Sequence, residues 1–133
     1  VDFPVISDDS GLCVKKLNNK PGIHSARLAK REGSFLKAMK LILKKLKKKK
    51  DRNAKFVCSL AFKFPKKKTI SVTGEVQGKI SKKILGENGF GYDSIFIPKY
   101  EKLTFGQISK SKKIKIDHRF RAIKKLKKQI KTL

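Results

Sequence analysis

Two acidic residues stand side by side at Asp8-Asp9, followed by Ser10 and Gly11, in a chain with 36 Lys and Arg against 10 Asp and Glu. Adjacency alone decides little, since ten acids scattered over 133 residues give roughly one such pair by chance. The setting says more. The pair follows Pro4-Val5-Ile6, which reads as a short buried strand ended by a polar turn from Ser7 to Gly11. In such a turn one carboxylate can point at solvent and the other into a cleft. Like charges so close repel unless a cation relieves them. Mg2+ suits that task, being a hard ion that takes carboxylate, water and substrate phosphate oxygens. Ser10 and Gly11 would then offer a hydroxyl and an unobstructed backbone N–H to a phosphate. The same four residues also read as an Asp-Ser-Gly turn that caps the next segment.

Asn88-Gly89-Phe90-Gly91-Tyr92-Asp93 is the second group with chemical potential. Glycines on both sides of an aromatic let the backbone approach a flat ligand while the ring stacks on it. The alternative is a glycine-rich hairpin turn with Phe90 and Tyr92 in the core. A third group is Lys113 and then His118-Arg119, at the start of the last helix. Its side chains can donate hydrogen bonds to a base carbonyl or a phosphate, or can be helix-start surface residues. His24, in the loop before Ser25-Ala26-Arg27, has a structural reading.

These groups need elements to hold them. Leu12-Cys13-Val14 reads as a second short apolar segment, and Asn18 to Gly22 as a loop. Ser34 is a plausible N-cap for a helix carrying Phe35, Met39, Ile42, Leu43 and Leu46 at helical spacing, which dissolves into the Lys47–Lys50 run. Phe56, Cys58, Leu60, Phe62 and Phe64 alternate strictly, with Val57 and Ala61 on the other face, which predicts a strand. Pro65 and three lysines turn the chain, and Ile70, Val72 and Val76 form the return strand of a hairpin. Gly86 to Gly91 is a loop, Tyr92 to Pro98 a strand, and Phe120, Ile123, Leu126 and Ile130 the stripe of a terminal helix. Interleaved strands and helices predict an α/β fold, a mixed β-sheet with flanking helices, in one domain over residues 1–133.

The formal charge of +26 first suggests a polyanion partner. Only five of the basic residues are Arg, however, and the lysines fall in blunt runs. Arg rather than Lys makes bidentate base and phosphate contacts, so the runs read as solvated faces with a nonspecific, salt-sensitive affinity for nucleic acid at most. Cys13 and Cys58 are too far apart for a zinc knuckle or a redox dithiol, and read as buried thiols in a reducing cytoplasm. No apolar run approaches the ~20 residues that cross a bilayer, and no signal peptide is legible. The chain opens at Val1 without Met, which suggests a start inside a domain.

Together and in this order the motifs resemble those of the inosine-triphosphate pyrophosphatase family, over essentially the whole chain. Pro4 to Leu12 resembles its strand and catalytic turn. Pro21-Gly22-Ile23-His24-Ser25-Ala26-Arg27 resembles the Pro-Gly-x-x-Ser-Ala-Arg loop of its bacterial branch. Gly89 to Phe96 resembles its base-site loop, and Thr104-Phe105-Gly106-Gln107, Lys113 and His118-Arg119 its closing segment. The resemblance implies an inosine-triphosphatase-like α/β fold lacking its N-terminal strand-helix unit, with that unit's Asn/Lys phosphate loop and Glu- and Lys-bearing helix. It implies Mg2+-dependent hydrolysis of ITP, dITP and XTP between the α- and β-phosphates, to a monophosphate and pyrophosphate. It further implies Asp9 as general base and metal ligand, with Asp8 supporting the charge of the site. Ser10, Phe90, Gly91, Tyr92, Asp93, Lys113, His118 and Arg119 would bind substrate, in a cytoplasmic homodimer. The pattern departs at Ser94 (usually Pro), Gln107 (usually Glu) and Asp117 (usually Ser). Asp117 would repel nucleotide or pair with a lysine. A basic nucleic-acid-binding protein and an inactive remnant of the enzyme are the competing readings.

Overall fold

The strict alternation around Phe56 to Leu60 builds the centre of a sheet. In a computed structural model, which describes residues 2–132, Asn53–Lys63 (β3) buries Phe56, Cys58 and Leu60 on one face and leaves Val57 and Ala61 half-buried on the other. Ile70–Ile80 (β4) returns antiparallel to it, forming the expected hairpin. Val5–Val14 (β1) pairs with the other side of β3, and two short strands, Lys20–Pro21 (β2) and Phe96–Pro98 (β5), complete the order β2-β1-β3-β4-β5.

Every pairing among the described residues is antiparallel, where the sequence suggested a mixed sheet. The connection between β1 and β3 explains the difference. It holds two helices, Ser25–Glu32 (α1) and Phe35–Leu46 (α2), which bring the chain back to the end at which β1 stops, so that Val14 faces Ala54. A single crossover helix would have delivered it for a parallel pairing. Ser34 caps α2 as expected, its hydroxyl accepting the Lys37 N–H at 3.1 Å.

β1 also corrects the expected turn at Ser7 to Gly11. Ten successive residues, Val5 to Val14, pair with β3 without interruption. Pairing with β3 holds Asp8, Asp9 and Ser10 extended, so local turn propensity yields to the ladder. Val5 and Ile6, read as buried, are 46% and 56% exposed. Tyr92 to Pro98 is strand only from Phe96, because a 3-10 turn occupies Asp93–Ile95.

Both helical layers lie on one face of the sheet, as an antiparallel sheet permits. Leu12, Val14, Phe56 and Phe96 pack with Met39, Ile42 and Leu46 of α2 in the larger core cluster. Cys58, Leu60 and Val72 pack with Ala122 and Leu126 of His118–Ile130 (α4) in the smaller one. Phe120 and Ile123, expected inside, are 40% and 38% exposed. Gly74 in β4 sets this phase. A Cβ there would collide with the Ala122 amide and the His118 carbonyl, so the helix backbone rests directly on the strand and only a small side chain such as Ala122 fits beneath. The short helix Lys110–Lys113 (α3) precedes α4. No helix among the described residues is long and apolar enough to cross a membrane.

Candidate active site

The pleat of β1 divides the acidic pair. Side chains alternate along a strand, so Asp8 and Ser10 share the helix-covered face with Leu60 and Cys58, their partners in β3. Asp9 and Gly11 point to the opposite face, where Asp9 lies across from Ser59. The two carboxylates therefore leave the strand on opposite faces.

Asp8 is occupied by the start of α4. Arg119 donates from Nε to Asp8 Oδ2 at 2.7 Å, and its Nη2 donates to Ser10 Oγ at 3.2 Å. The Cys58 thiol donates to Asp8 Oδ1 at 3.4 Å. The bond from Arg119 holds the Asp8 carboxyl below the usual carboxylate range, against the opposing effect of burial. Burial pushes the Cys58 thiol up to about 11, which keeps it protonated at neutral pH.

Asp9 is exposed, and its side chain makes no hydrogen bond or ion pair among the described residues. Beside it lies a cavity of about 270 Å³, whose lining includes Ser59, Cys13 and the Lys55–Glu75 pair, 3.3 Å apart. Gly11, expected to offer its N–H to a phosphate, serves a different purpose. A Cβ at Gly11 would collide with the Gly22 carbonyl, so glycine lets the Pro21-Gly22 segment lie against β1. Ser25 locks that contact, accepting the Leu12 N–H at 2.9 Å and donating to the Gly22 carbonyl at 2.7 Å. His24 is exposed, as its structural reading allowed.

The glycine loop and the last two helices build a second cluster. Asp93 is buried; it accepts the Phe90 N–H at 3.0 Å and pairs with buried Lys113 at 2.8 Å. Burial pushes the Asp93 carboxyl up, and Lys113 and the Phe90 N–H oppose this. The Lys113 ammonium also sits 4.7 Å from the centroid of Phe90, whose ring is 67% exposed and free to stack on a flat ligand. Phe105 lies with its ring centroid 5.6 Å from that ammonium and stacks on Phe56, which stacks in turn on the His118 imidazole at 4.8 Å. His118 is buried and its Nδ1 has no hydrogen-bond partner among the described residues. Burial pulls its pKa down to about 4, so the ring is neutral at neutral pH.

Tyr92 does not join this cluster. It is buried, its hydroxyl donates to the Ser25 carbonyl at 2.6 Å and its ring meets Phe35 edge-on at 5.2 Å. Gly91 beside it is half-buried. The departures in the motif have structural employment. Asp117 caps α4 by accepting the Phe120 N–H at 2.8 Å, rather than pairing with a lysine. Gln107 accepts the Thr104 N–H at 3.0 Å, and Ser94 donates to the Gly86 carbonyl at 2.8 Å. Sequence reasoning missed Gly74, Cys58 and Ser25 as supports. A glycine within a strand pattern was a usable signal for the first; the other two left none.

The sequence profile of the Ham1 family matches residues 1–129. The chain belongs to the Ham1 family. Its relatives include proteins named dITP/XTP pyrophosphatase from Bacillus licheniformis, 45% identical over 92% of this chain, and Bacillus subtilis, 42% identical over 96%. The chain spans 63% and 66% of the length of those two relatives. The Staphylococcus aureus Ham1 protein superposes with a TM-score of 0.93 at 41% identity, covering 99% of this chain and 69% of that one. A HAM1 protein from Coxiella burnetii gives 0.90 at 30% identity, covering 98% and 68%. The antiparallel sheet with its helices is thus the Ham1 fold over the described residues. No three His, Cys, Asp or Glu side chains cluster among the described residues of this Ham1 chain to cage a metal unaided.

Proposed function

We propose that this Ham1 chain serves the hydrolysis of non-canonical purine nucleoside triphosphates, ITP, dITP and XTP, to the monophosphate and pyrophosphate. The observation that carries the proposal is Arg119, bonded at once to Asp8 and Ser10. It ties the carboxylate strand to the cluster that suits a purine. The names of the Bacillus relatives support the same substrate class.

Phe90 offers its open ring to the base, and Lys113, His118 and Arg119 offer donors to a 6-oxo group. Against adenine's amino group those donors would go unpaired, which favours hypoxanthine and xanthine. Tyr92, Gly91 and Asp93 act from behind, by fixing the loop that presents Phe90.

Asp9 is the residue for the chemistry. Water adds to the α-phosphorus and gives its proton to the Asp9 carboxylate, while the bond to the bridging oxygen breaks and pyrophosphate leaves. As a free carboxylate Asp9 fits one ligand of a Mg2+ site, because that ion is commonly held by one or two carboxylates with water and substrate phosphates. When bound, Mg2+ supplies charge neutralisation on the phosphates. Asp8, committed to Arg119, fits such a site poorly; its part is to hold the base-reading helix. We place the activity in a cytoplasmic homodimer.

The test is pyrophosphate release from ITP, dITP, XTP and ATP with Mg2+, beside equilibrium binding of IMP and AMP. Release favouring the 6-oxo substrates and lost in Asp9→Asn is expected. Equal binding of IMP and AMP, or wild-type turnover in Asp9→Asn, would reject the assignment.

A further inference from the structure

One sizeable cavity of the molecule lies away from the site discussed so far. A cleft of about 740 Å³ opens between the segment after β1, helix α1 and helix α2. Its volume lies within the ~300–1,000 Å³ of small-molecule sites. None of Asp8, Asp9, Phe90, Lys113, His118 or Arg119 lines it.

Its lining is of two kinds. Leu17, Leu28, Leu41 and Ile42 supply an aliphatic floor. Lys16, Lys20, Arg27, Arg31 and Lys45, all exposed, supply cations. No Asp or Glu contributes to the lining, and only Arg31 of these cations has an ion-pair partner among the described residues, Glu32 at 3.5 Å. Five like charges around one concavity repel one another and focus a positive potential there, which an entering anion relieves. Two of the chain's five arginines, Arg27 and Arg31, lie one turn apart on α1. Side chains at that spacing share a helix face, and guanidinium groups suit the oxygens of a phosphate. No Phe, Tyr or Trp lines the cleft. Its one aromatic group is the exposed His24 imidazole, so the body of a ligand meets a mainly aliphatic floor rather than a ring such as Phe90.

We infer that this cleft is a second ligand site, for a free organic phosphate with an aliphatic body. The head lies at Arg27 and Arg31, and the body lies on the leucine floor. This inference stands apart from the proposed hydrolysis, since it uses none of the same side chains.

Hexyl phosphate is the probe, titrated into the chain while backbone amide shifts are followed by NMR, with inorganic phosphate and hexanol as controls. Hexyl phosphate should bind at least about tenfold more tightly than either control, with shifts centred on α1 and α2. Arg27→Gln/Arg31→Gln should weaken it about tenfold or more. Both residues are exposed, so the fold should persist, and unchanged IMP binding would verify it. Leu28→Ser should weaken hexyl phosphate while leaving inorganic phosphate unaffected. Affinity no better than that of inorganic phosphate, shifts centred on Phe90 and Lys113, or full binding by the double variant would each overturn the inference. So would binding to phosphatidate vesicles without binding to hexyl phosphate, which would reassign the cations to a lipid surface.

Discussion

Arg119 Nε lies 2.7 Å from Asp8 Oδ2, joining the first turn of the last helix to the middle of the first strand across 111 residues of sequence. The ion pair is part-exposed, with 39% of the Asp8 side chain and 32% of the Arg119 side chain accessible. Its value lies in placement more than in stability, since exposed pairs contribute at most about 1 kcal/mol.

Asp8→Asn should therefore leave the melting temperature nearly unchanged and raise the KM for ITP by about tenfold, through loss of a charge-assisted bond to Arg119. Asp9→Asn should act on kcat instead. Steady-state kinetics on both variants separate the roles, and a kcat-only defect in Asp8→Asn would contradict them.

His118 makes stability depend on pH. Burial holds its pKa at about 4, against an ordinary value of 6.5, so the unfolded chain takes up the proton first as pH falls. The neutral ring's contribution is complete above pH 6.5 and disappears as pH drops through 4. The loss attributable to this group is about 3 kcal/mol at most. Urea unfolding across that range should slope downward toward acid, and His118→Asn should flatten the slope. Equal slopes in the two proteins would remove His118 as its source.

The pair Lys113–Asp93 offers a sharper perturbation. Lys113→Met leaves a buried carboxylate without its cation, which costs roughly 3–5 kcal/mol. Asp93, already pushed up by burial, should respond by taking a proton. Destabilisation should thus be larger at neutral pH than in mild acid, and Asp93→Asn in the same chain should recover part of it. Chemical denaturation of the single and double variants at two pH values provides the comparison.

Gly74→Ala tests the seat of α4. The added methyl would meet the Ala122 amide and His118 carbonyl, so the helix must lift. Overpacking of this kind costs about 1–3 kcal/mol. Because His118 and Arg119 ride on the same helix, ITP turnover should fall by more than the stability loss explains. A variant with lowered melting temperature and intact kinetics would show that the helix start is held elsewhere.

What could be read from the sequence followed from short-range rules. The alternation from Phe56 to Leu60 marks β3, and Ser34 marks the start of α2, both without reference to tertiary packing. Asp8-Asp9-Ser10-Gly11 misled because its composition favours turns, whereas the ladder to β3 decides its conformation. The stripe of α4 was misphased because Gly74, distant in sequence, dictates which residues fit beneath the helix. In the loop from Asn88 to Asp93 the two aromatics part company: Phe90 is exposed while Tyr92 belongs to the core. The Arg119–Asp8 link spans most of the chain, and no local periodicity reports it.

The alternation of side chains along β1 also governs which substitutions should interact. Asp8 and Asp9 are neighbours in sequence, yet their side chains leave β1 on opposite faces. In a double-mutant cycle Asp8 should couple strongly to Arg119, while Asp9 and Arg119 should be additive in ground-state binding. One residue inserted ahead of Asp8 would exchange the two faces and hand each carboxylate the other's surroundings. The motif therefore behaves as two independent addresses written next to each other, and the spacing from Val5, more than the acidity of either residue, decides which one each carboxylate occupies.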